Sequence, residues 1–337
     1  MSMVERSAEK LRVCQERTGE EIDKRFGKGA VQTADHLGGA EIRTGSLALD
    51  VATGIGGLPR GRIVEFYGPE GAGKTALALC AIAEAQRAGG VCAFIDADRS
   101  IDPGWARKLG VRLDQLLVSQ PDNGNAALQI VETIIHSGVV DLVVVDSVPG
   151  LVPKVELDWQ VGELYLEHDL RLMDQSLRRL VSIASKHDTT VLFTNQLREK
   201  SGVVFGNPEE TVGGSPLRHF ASLRVELRRA GVVTPGGGGP AVGARIKAKI
   251  VKSKMAPPCR EAMLVLRFGE GPCAVHDLIT LGAGVGLVKV QEGRYSIDDG
   301  KVTGDEETIR AWFRDQPLAS ANLLADLRER LLTEQRS

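Results

Sequence analysis

Eight consecutive residues, Gly68-Pro69-Glu70-Gly71-Ala72-Gly73-Lys74-Thr75, fit the pattern G-x-x-x-x-G-K-S/T, and each fixed position has a chemical reason. Glycines let backbone N–H groups curl around an anion, because a Cβ would block the approach or forbid the φ that it needs. Lys74 supplies charge to β- and γ-phosphates, the Thr75 hydroxyl completes a Mg²⁺ shell, and a helix opening at Thr75 adds its positive end. With background glycine at about 7%, a random chain of this length meets the pattern roughly once in a hundred times. Here it also follows a predicted strand and opens a predicted helix, which is the context that a nucleotide site requires.

A second element completes such a site. Leu142-Val143-Val144-Val145-Asp146-Ser147 is an apolar strand ending in an acid. An Asp at the carboxyl end of a strand lies at the crevice where α/β sheets bind ligands. A strand followed by Asp is common by itself. Beside the phosphate loop, Asp146 is placed to hold a Mg²⁺-bound water next to Thr75.

Strand–helix alternation starting near residue 60 predicts the α/β framework that positions these groups. Apolar strands are expected over 62–67, 91–97, 141–146 and 190–195, with helices over 75–88 and 126–137 between them. Three β-rich runs follow at 223–229, 244–252 and 262–268, the first two joined by the hairpin connection TPGGGGP at 234–240. Before the core, residues 4–26 carry Leu11, Cys14, Ile22 and Phe26 among many charges, the mark of a partly amphipathic helix too polar to fold alone. After about residue 275 the pattern changes to short mixed elements, including a helix near 306–314. The expected division is 1–35 as an N-terminal oligomerisation helix and linker, 36–274 as the core, and 275–337 as a small C-terminal domain.

Composition narrows the function. The 337 residues are 42% apolar and 26% charged, as in ordinary globular proteins, and no run of about 18 apolar residues could span a membrane. The charged N-terminus has no signal-peptide core, so a cytoplasmic location is expected. Five scattered cysteines without a Cys-x-x-Cys pair argue against a disulfide framework or zinc site and read as buried free thiols. The formal charge of −2 says little about nucleic acid, because distribution matters more than the sum.

The stretches TGSLALDVATGIGGLPRGRIVEFYGPEGAGKT, CAFIDADRSIDPGWARKLGV, DLVVVDSV, FTNQLREKSGVVFGNPEETVGG, LRVELRRAG and KIVKSKMAPP run in order from about residue 44 to 272. In this order they resemble the bacterial recombinase (RecA) family. The resemblance implies an α/β fold: a P-loop ATPase core with a mostly parallel central sheet, an N-terminal helix that docks on the neighbouring subunit, and a small α+β C-terminal domain. It also implies ATP and Mg²⁺, a helical filament of identical subunits on single-stranded DNA, pairing and strand exchange with double-stranded DNA in repair, and the SOS repressor as a partner.

By motif match, Asp102 would recognise the adenine edge, and Trp105 stands where the family stacks a Tyr on the base. Gln196 matches the residue that senses the γ-phosphate and relays its presence to the loop starting at Leu197. Lys252 and Lys254 match lysines that reach the ATP of the adjacent subunit. Asp98 stands where the family has a Glu that orients the attacking water, which makes Asp98, Lys74 and Gln196 the expected catalytic set.

The residues themselves support the lysine assignment. Arg245, Lys247 and Lys249 alternate on one strand face, whereas Lys252 and Lys254 fall on the opposite phase. The strand must therefore end or bulge near 250–251, re-aiming the last two lysines. DNA is expected at two polar, Gly-containing loops, 159–166 and 197–211, with Arg171, Arg198, Lys200, Arg228 and Arg229 as phosphate contacts. The Gly213-Gly214 pair would admit a phosphate to backbone amides, and Phe205 and Trp159 could reach bases. Ser201 replaces a branched aliphatic wedge, Glu199 adds a negative charge beside it, and His219 replaces an aromatic at the subunit interface. These departures keep a second reading open, an ATP- and DNA-binding regulatory paralogue with weak hydrolysis.

Overall fold

Strands buried on both faces read as continuous apolar runs, and such runs form the spine of this protein. The computed structural model describes residues 22, 24, 25, 41–152, 166–199, 209–235, 239–291, 293–297 and 300–336. The chain divides into two units, Met1–Gly39 and Ala40–Ser337. In the first, Ile22, Lys24 and Arg25 are helical; the rest of the helix expected over 4–26 lies outside the described residues.

The second unit opens with α1 (Leu47–Ala52), β1 (Ile63–Gly68) and α2 (Lys74–Arg87), then β2 (Cys92–Asp96), α3 (Pro103–Lys108) and β3 (Leu116–Ser119). Next come α4 (Gly124–His136), β4 (Leu142–Asp146), α5 (Leu166–Lys186), β5 (Thr190–Glu199) and β6 (Glu209–Thr211). The core closes with α6 (Gly214–Phe220), β7 (Leu223–Val233), β8 (Gly243–Ser253), β9 (Glu261–Arg267) and β10 (Gly271–Pro272). Strand order in the main sheet is β10-β9-β8-β7-β1-β5-β4-β2-β3, with β6 off this path and paired to β5. From β7 to β3 the neighbours on this path are parallel, and from β7 to β10 they are antiparallel.

Period-two alternation sends successive side chains to opposite faces of the sheet. Val64, Phe66, Phe94, Val144 and Leu192 pack beneath α2 with Leu77, Ala81 and Ile82. Ile63, Ile95, Val145, Val191 and Phe193 pack on the other face, against Leu128 and Val131 of α4 and Leu177 and Leu180 of α5. Both clusters exclude water almost completely, so the strands' carboxyl ends are rigidly placed.

The remaining chain forms α7 (Ala274–Gly282), a three-stranded sheet of β11 (Lys289–Gln291), β12 (Arg294–Ile297) and β13 (Val302–Gly304), α8 (Glu306–Asp315) and α9 (Pro317–Arg336). These elements share an apolar cluster that includes Leu278, Ile297, Ile309 and Leu327. Two polar ties hold them to α1. Asp277 accepts from Ser46 Oγ at 3.0 Å and from the Ala48 N–H at 3.1 Å, and Arg328 Nη1 donates to Asp50 Oδ2 at 2.7 Å.

The expected bulge near 250–251 is present. Arg224 pairs with Lys252 and Val225 with Ile250, which leaves Val251 unmatched while β8 continues to Ser253. Two expectations need correction. The loop expected from Leu197 begins later, because β5 runs on to Glu199 and ladders with β6, Leu197 opposite Thr211 and Arg198 opposite Glu210. Cys80, Cys92 and Cys273 are buried free thiols, but Cys259 is exposed on the turn between β8 and β9. Met255 of the same turn packs against the core, whereas Cys259 faces away from it.

Candidate functional site

β1 brings the chain to Gly68, and α2 departs at Lys74. At Gly68 the neighbouring strand passes so close that a Cβ would lie 2.0 Å from the Leu227 carbonyl oxygen, so no side chain fits. Gly73 takes φ +83 at the start of α2, in the left-handed region, and a Cβ there would meet Leu266 Cδ1 at 2.6 Å. The turn thus has the bare backbone that an anion cradle needs, at the positive end of a fourteen-residue helix.

Lys74 Nζ donates to the carbonyls of Gly68 at 2.9 Å and Pro69 at 2.8 Å, which folds the ammonium over the turn. Burial holds its pKa below the ordinary lysine value, while Asp146 and Glu70 push the other way. Thr75 Oγ1 donates to Asp146 Oδ2 at 2.9 Å, and the Thr194 hydroxyl donates to Asp146 Oδ1. Burial raises the Asp146 pKa, the two threonine hydroxyls lower it, and Asp98 and Asp96 raise it.

A divalent cation fits this donor set, because it would offset the cost of gathering carboxylates here. Among the described residues no group of three or more His, Cys, Asp or Glu is placed to hold a metal by itself. Phosphate oxygens and water would have to complete its shell.

Asp98 sits on the turn after β2. Its N–H and that of Ala97 both point to the Asp146 carbonyl, at 3.3 and 2.8 Å, and Ser147 Oγ donates to Asp98 Oδ2 at 2.5 Å. Asp96, fully buried, stiffens the same turn by accepting from the Ser100 N–H at 2.8 Å and Gln120 Nε2 at 2.8 Å. Beyond it, Asp102 caps α3, accepting from the Trp105 N–H at 2.5 Å, and Trp105 is 36% exposed. The cap engages Asp102 Oδ1 with one hydrogen bond and leaves the carboxylate further acceptor capacity.

Gln196 lies beside Gly68 in the parallel register of β5 and β1. The alternation of β5 places it on the same sheet face as Thr194, which touches Asp146. The glycine turn, Thr75, Asp146 and Gln196 therefore lie at one edge of the sheet. The family model for the RecA N-terminal domain matches residues 14–273. The chain belongs to the RecA family.

Three RecA proteins illustrate how far the likeness runs. The chain is 46% identical to Protein RecA of Gluconacetobacter polyoxogenes over 312 residues, 92% of this chain and 89% of that protein. It is 47% identical to Protein RecA of Aquifex aeolicus over 299 residues, 88% and 86% of the two chains. Identity to Protein RecA of Desulforapulum autotrophicum is 44% over 317 residues, 92% and 90% of the two chains. The protein is accordingly a RecA recombinase with the DNA-dependent ATPase activity of its family. Nucleotide binding, DNA binding and self-assembly into filaments come with that membership. Among the described residues no helix is long and apolar enough to cross a membrane.

The residues expected to meet DNA, or a neighbouring subunit, are placed unequally. Arg171, Arg198 and Arg229 are exposed. Arg228 is held by Glu209 and by Glu226, the latter at 2.6 Å, and the hydrogen bond it donates to Glu209 raises its pKa. Gly213 and Gly214 form the turn into α6. Lys252 Nζ donates to the carbonyls of Arg218 and His219, both at 2.8 Å, and Lys254 is exposed. Trp159, Lys200, Ser201 and Phe205 lie outside the described residues.

Sequence reasoning missed a buried charged group behind the site. Glu65 is fully buried, pairs with Arg224 on the adjoining strand and accepts from Asn195 Nδ2 at 2.8 Å. The signal was present. A Glu inside the apolar strand IVEFYG demands a partner, because acids are almost never buried alone.

Proposed function

We propose that this RecA protein binds ATP with Mg²⁺ in the turn of residues 68–75, and that Asp98, Lys74 and Gln196 carry out hydrolysis and its sensing. The observation that carries the reading is the Thr75–Asp146 hydrogen bond of 2.9 Å beside a lysine folded over two carbonyls of a glycine turn. Gly68, Pro69, Glu70, Gly71, Ala72 and Gly73 present backbone to the phosphates. Lys74 exchanges its two carbonyl partners for phosphate oxygens, a stronger, charge-assisted contact. Thr75 and Asp146 hold Mg²⁺, partly through water, and the bound ion supplies charge neutralisation between the phosphates. Asp98 accepts a hydrogen bond from the attacking water, and Gln196 reads the γ-phosphate. Asp102 and Trp105 take the adenine, while Lys252 and Lys254 reach the nucleotide of the next subunit in the filament.

DNA contacts through Arg171, Arg198, Lys200, Ser201, Phe205, Gly213, Gly214, Arg228 and Arg229 belong to the same proposal, as do a cytoplasmic location and the SOS repressor as a partner. The regulatory reading with weak hydrolysis keeps one observation in its favour, the short acid Asp98 already bonded to Ser147. One experiment addresses both. ATP affinity and DNA-stimulated hydrolysis are measured for wild type and Lys74→Ala, with circular dichroism to follow the fold. The variant is expected to keep its fold and lose ATP binding by at least about tenfold, the loss of one charge-assisted contact. Full affinity would remove Lys74 from the site, and wild-type hydrolysis unmoved by DNA would favour the regulatory reading.

A further inference from the structure

The alternation that sends Thr194 and Gln196 to the nucleotide face sends Asn195 to the opposite face of the sheet. There its side chain ties β5 to β1 and to the turn that follows β6. Nδ2 donates to Glu65 Oε1 at 2.8 Å and to the Val212 carbonyl at 2.8 Å, and Oδ1 accepts the N–H of Gln196 at 2.8 Å. Glu65 in turn pairs with Arg224, its register partner on β7. The Arg224 guanidinium lies 4.6 Å from the centre of the Tyr67 ring and reaches Thr211 Oγ1 at 3.4 Å. The Val212 N–H closes the set by donating to the Gln196 carbonyl at 3.1 Å.

Both feet of the segment between Leu197 and Thr211 are therefore bonded to one buried carboxylate system. That system starts at Glu65, three residues before Gly68, on the strand that delivers the phosphate turn. An open cleft of about 410 Å³ borders Tyr67, Leu197, Thr211 and Arg224, so the network lies directly beneath the surface next to the two feet. Hydrogen bonds fix the feet, and a buried polar network of this kind is rigid only while every member is satisfied. Glu65 and Arg224 are fully or nearly fully buried, so neither can turn to solvent when a partner leaves.

We propose that Asn195, Glu65 and Arg224 are positioning residues that transmit a change at Gln196 to the paired ends of β5 and β6, where Leu197 lies opposite Thr211. The inference rests on the reading of Gln196 as the γ-phosphate sensor. A shift of Gln196 moves the N–H that Asn195 holds, and Asn195 carries the Val212 carbonyl and the Glu65–Arg224 pair with it. Coupling between the ATP site and the DNA loop then passes through a defined set of hydrogen bonds rather than through loop contacts alone.

The test uses the full-length protein as Asn195→Ala, Thr211→Val and Gln196→Ala, and measures ATP affinity, thermal unfolding and the ratio of hydrolysis with and without single-stranded DNA. Asn195→Ala is expected to keep ATP affinity and lower that ratio about tenfold, within the usual range of allosteric coupling. Thr211→Val, which removes only the outermost hydroxyl, should lower it about threefold. An unchanged ratio in Asn195→Ala overturns the inference, as does an equal loss of ATP affinity and hydrolysis, which would mark a structural role alone. If Asn195→Ala does not fold, Thr211→Val decides, and an unchanged ratio there overturns it. Uncoupling in Gln196→Ala with normal coupling in Asn195→Ala would leave the sensor standing and remove the network. Normal coupling in Gln196→Ala would remove both.

Discussion

Ser147 Oγ donates to Asp98 Oδ2 at 2.5 Å, so the shorter acid of this RecA protein is turned toward β4 and held there. The backbone cannot advance to compensate, because the N–H groups of Ala97 and Asp98 are both aimed at the Asp146 carbonyl. A Glu would place its carboxylate about 1.5 Å further out, one carbon–carbon bond. A positioned base contributes roughly 10²–10⁴-fold, and much of that depends on the reach of its oxygen. Asp98→Glu is expected to raise DNA-stimulated turnover several-fold at unchanged ATP affinity. A fall in turnover would mean that the site is already fitted to Asp.

Lys252 has two claims on its ammonium. It caps the carbonyl end of α6 at Arg218 and His219, and the proposed function sends it to a neighbour's phosphate. Burial lowers its pKa, with Lys254 and Arg224 adding to the effect, so it is ready to exchange weak acceptors for an anion. Lys252→Met should lower stability by about 0.3–1 kcal/mol through the lost helix cap. If Lys252 also reaches a neighbour's nucleotide as proposed, the variant should lower any cooperativity in the dependence of hydrolysis on ATP concentration. Preserved cooperativity would leave Lys252 with the cap alone.

Glu209 and Glu226 neutralise Arg228 in the free protein. Neutralising Glu209 frees the guanidinium for a DNA phosphate and removes a like-charge penalty. Glu209→Gln is expected to tighten single-stranded DNA binding and to steepen the slope of log affinity against log salt by about 0.7, one added phosphate contact. Anisotropy titrations over a salt series measure both. An unchanged slope would take Arg228 out of the DNA interface.

The glycine turn between β1 and α2 was legible because its signals are local in sequence. Gly68, Gly73, Lys74 and Thr75 need only a strand before them and a helix after. The bulge at Val251 was legible for a similar reason, since the phase of Arg245, Lys247 and Lys249 conflicts with that of Lys252. The Glu65–Asn195–Arg224 group was not, because its members come from three strands whose adjacency depends on sheet order. The ladder of Arg198 with Glu210 was hidden by polarity, as a charged hairpin has the composition of a loop. Helix α9 escaped for a comparable reason. Its charges run around the helix, and only Arg328, Leu327 and their neighbours reveal which side meets α1.

Asp277 gives the clearest pH dependence in the fold. It is 2% exposed and accepts from Ser46 Oγ and the Ala48 N–H. Burial raises its pKa to about 6; the hydrogen bonds from Ala48, Ser46 and Leu47 oppose the rise, and Asp50 adds to it. Asp50, itself raised to about 6 by burial, differs in having Arg328 as a cationic partner. A carboxyl whose folded pKa exceeds its unfolded value binds protons more tightly when folded. Its contribution to stability is complete below the unfolded value of 3.8 and is lost as pH rises through about 6. Asn at this position still offers an acceptor oxygen but has no proton to lose. The stability of Asp277→Asn relative to wild type should therefore climb by about 1–3 kcal/mol between pH 4 and pH 7, then stay level. Urea unfolding at several pH values measures that difference directly, and other titrating groups cancel from it. Asp50→Asn serves as the contrast. It leaves Arg328 half-buried without its carboxylate, so it should destabilise at neutral pH, by about 2–4 kcal/mol. A flat difference for Asp277→Asn across this range would show that the Asp277 carboxylate is ionised and fully compensated by its three donors.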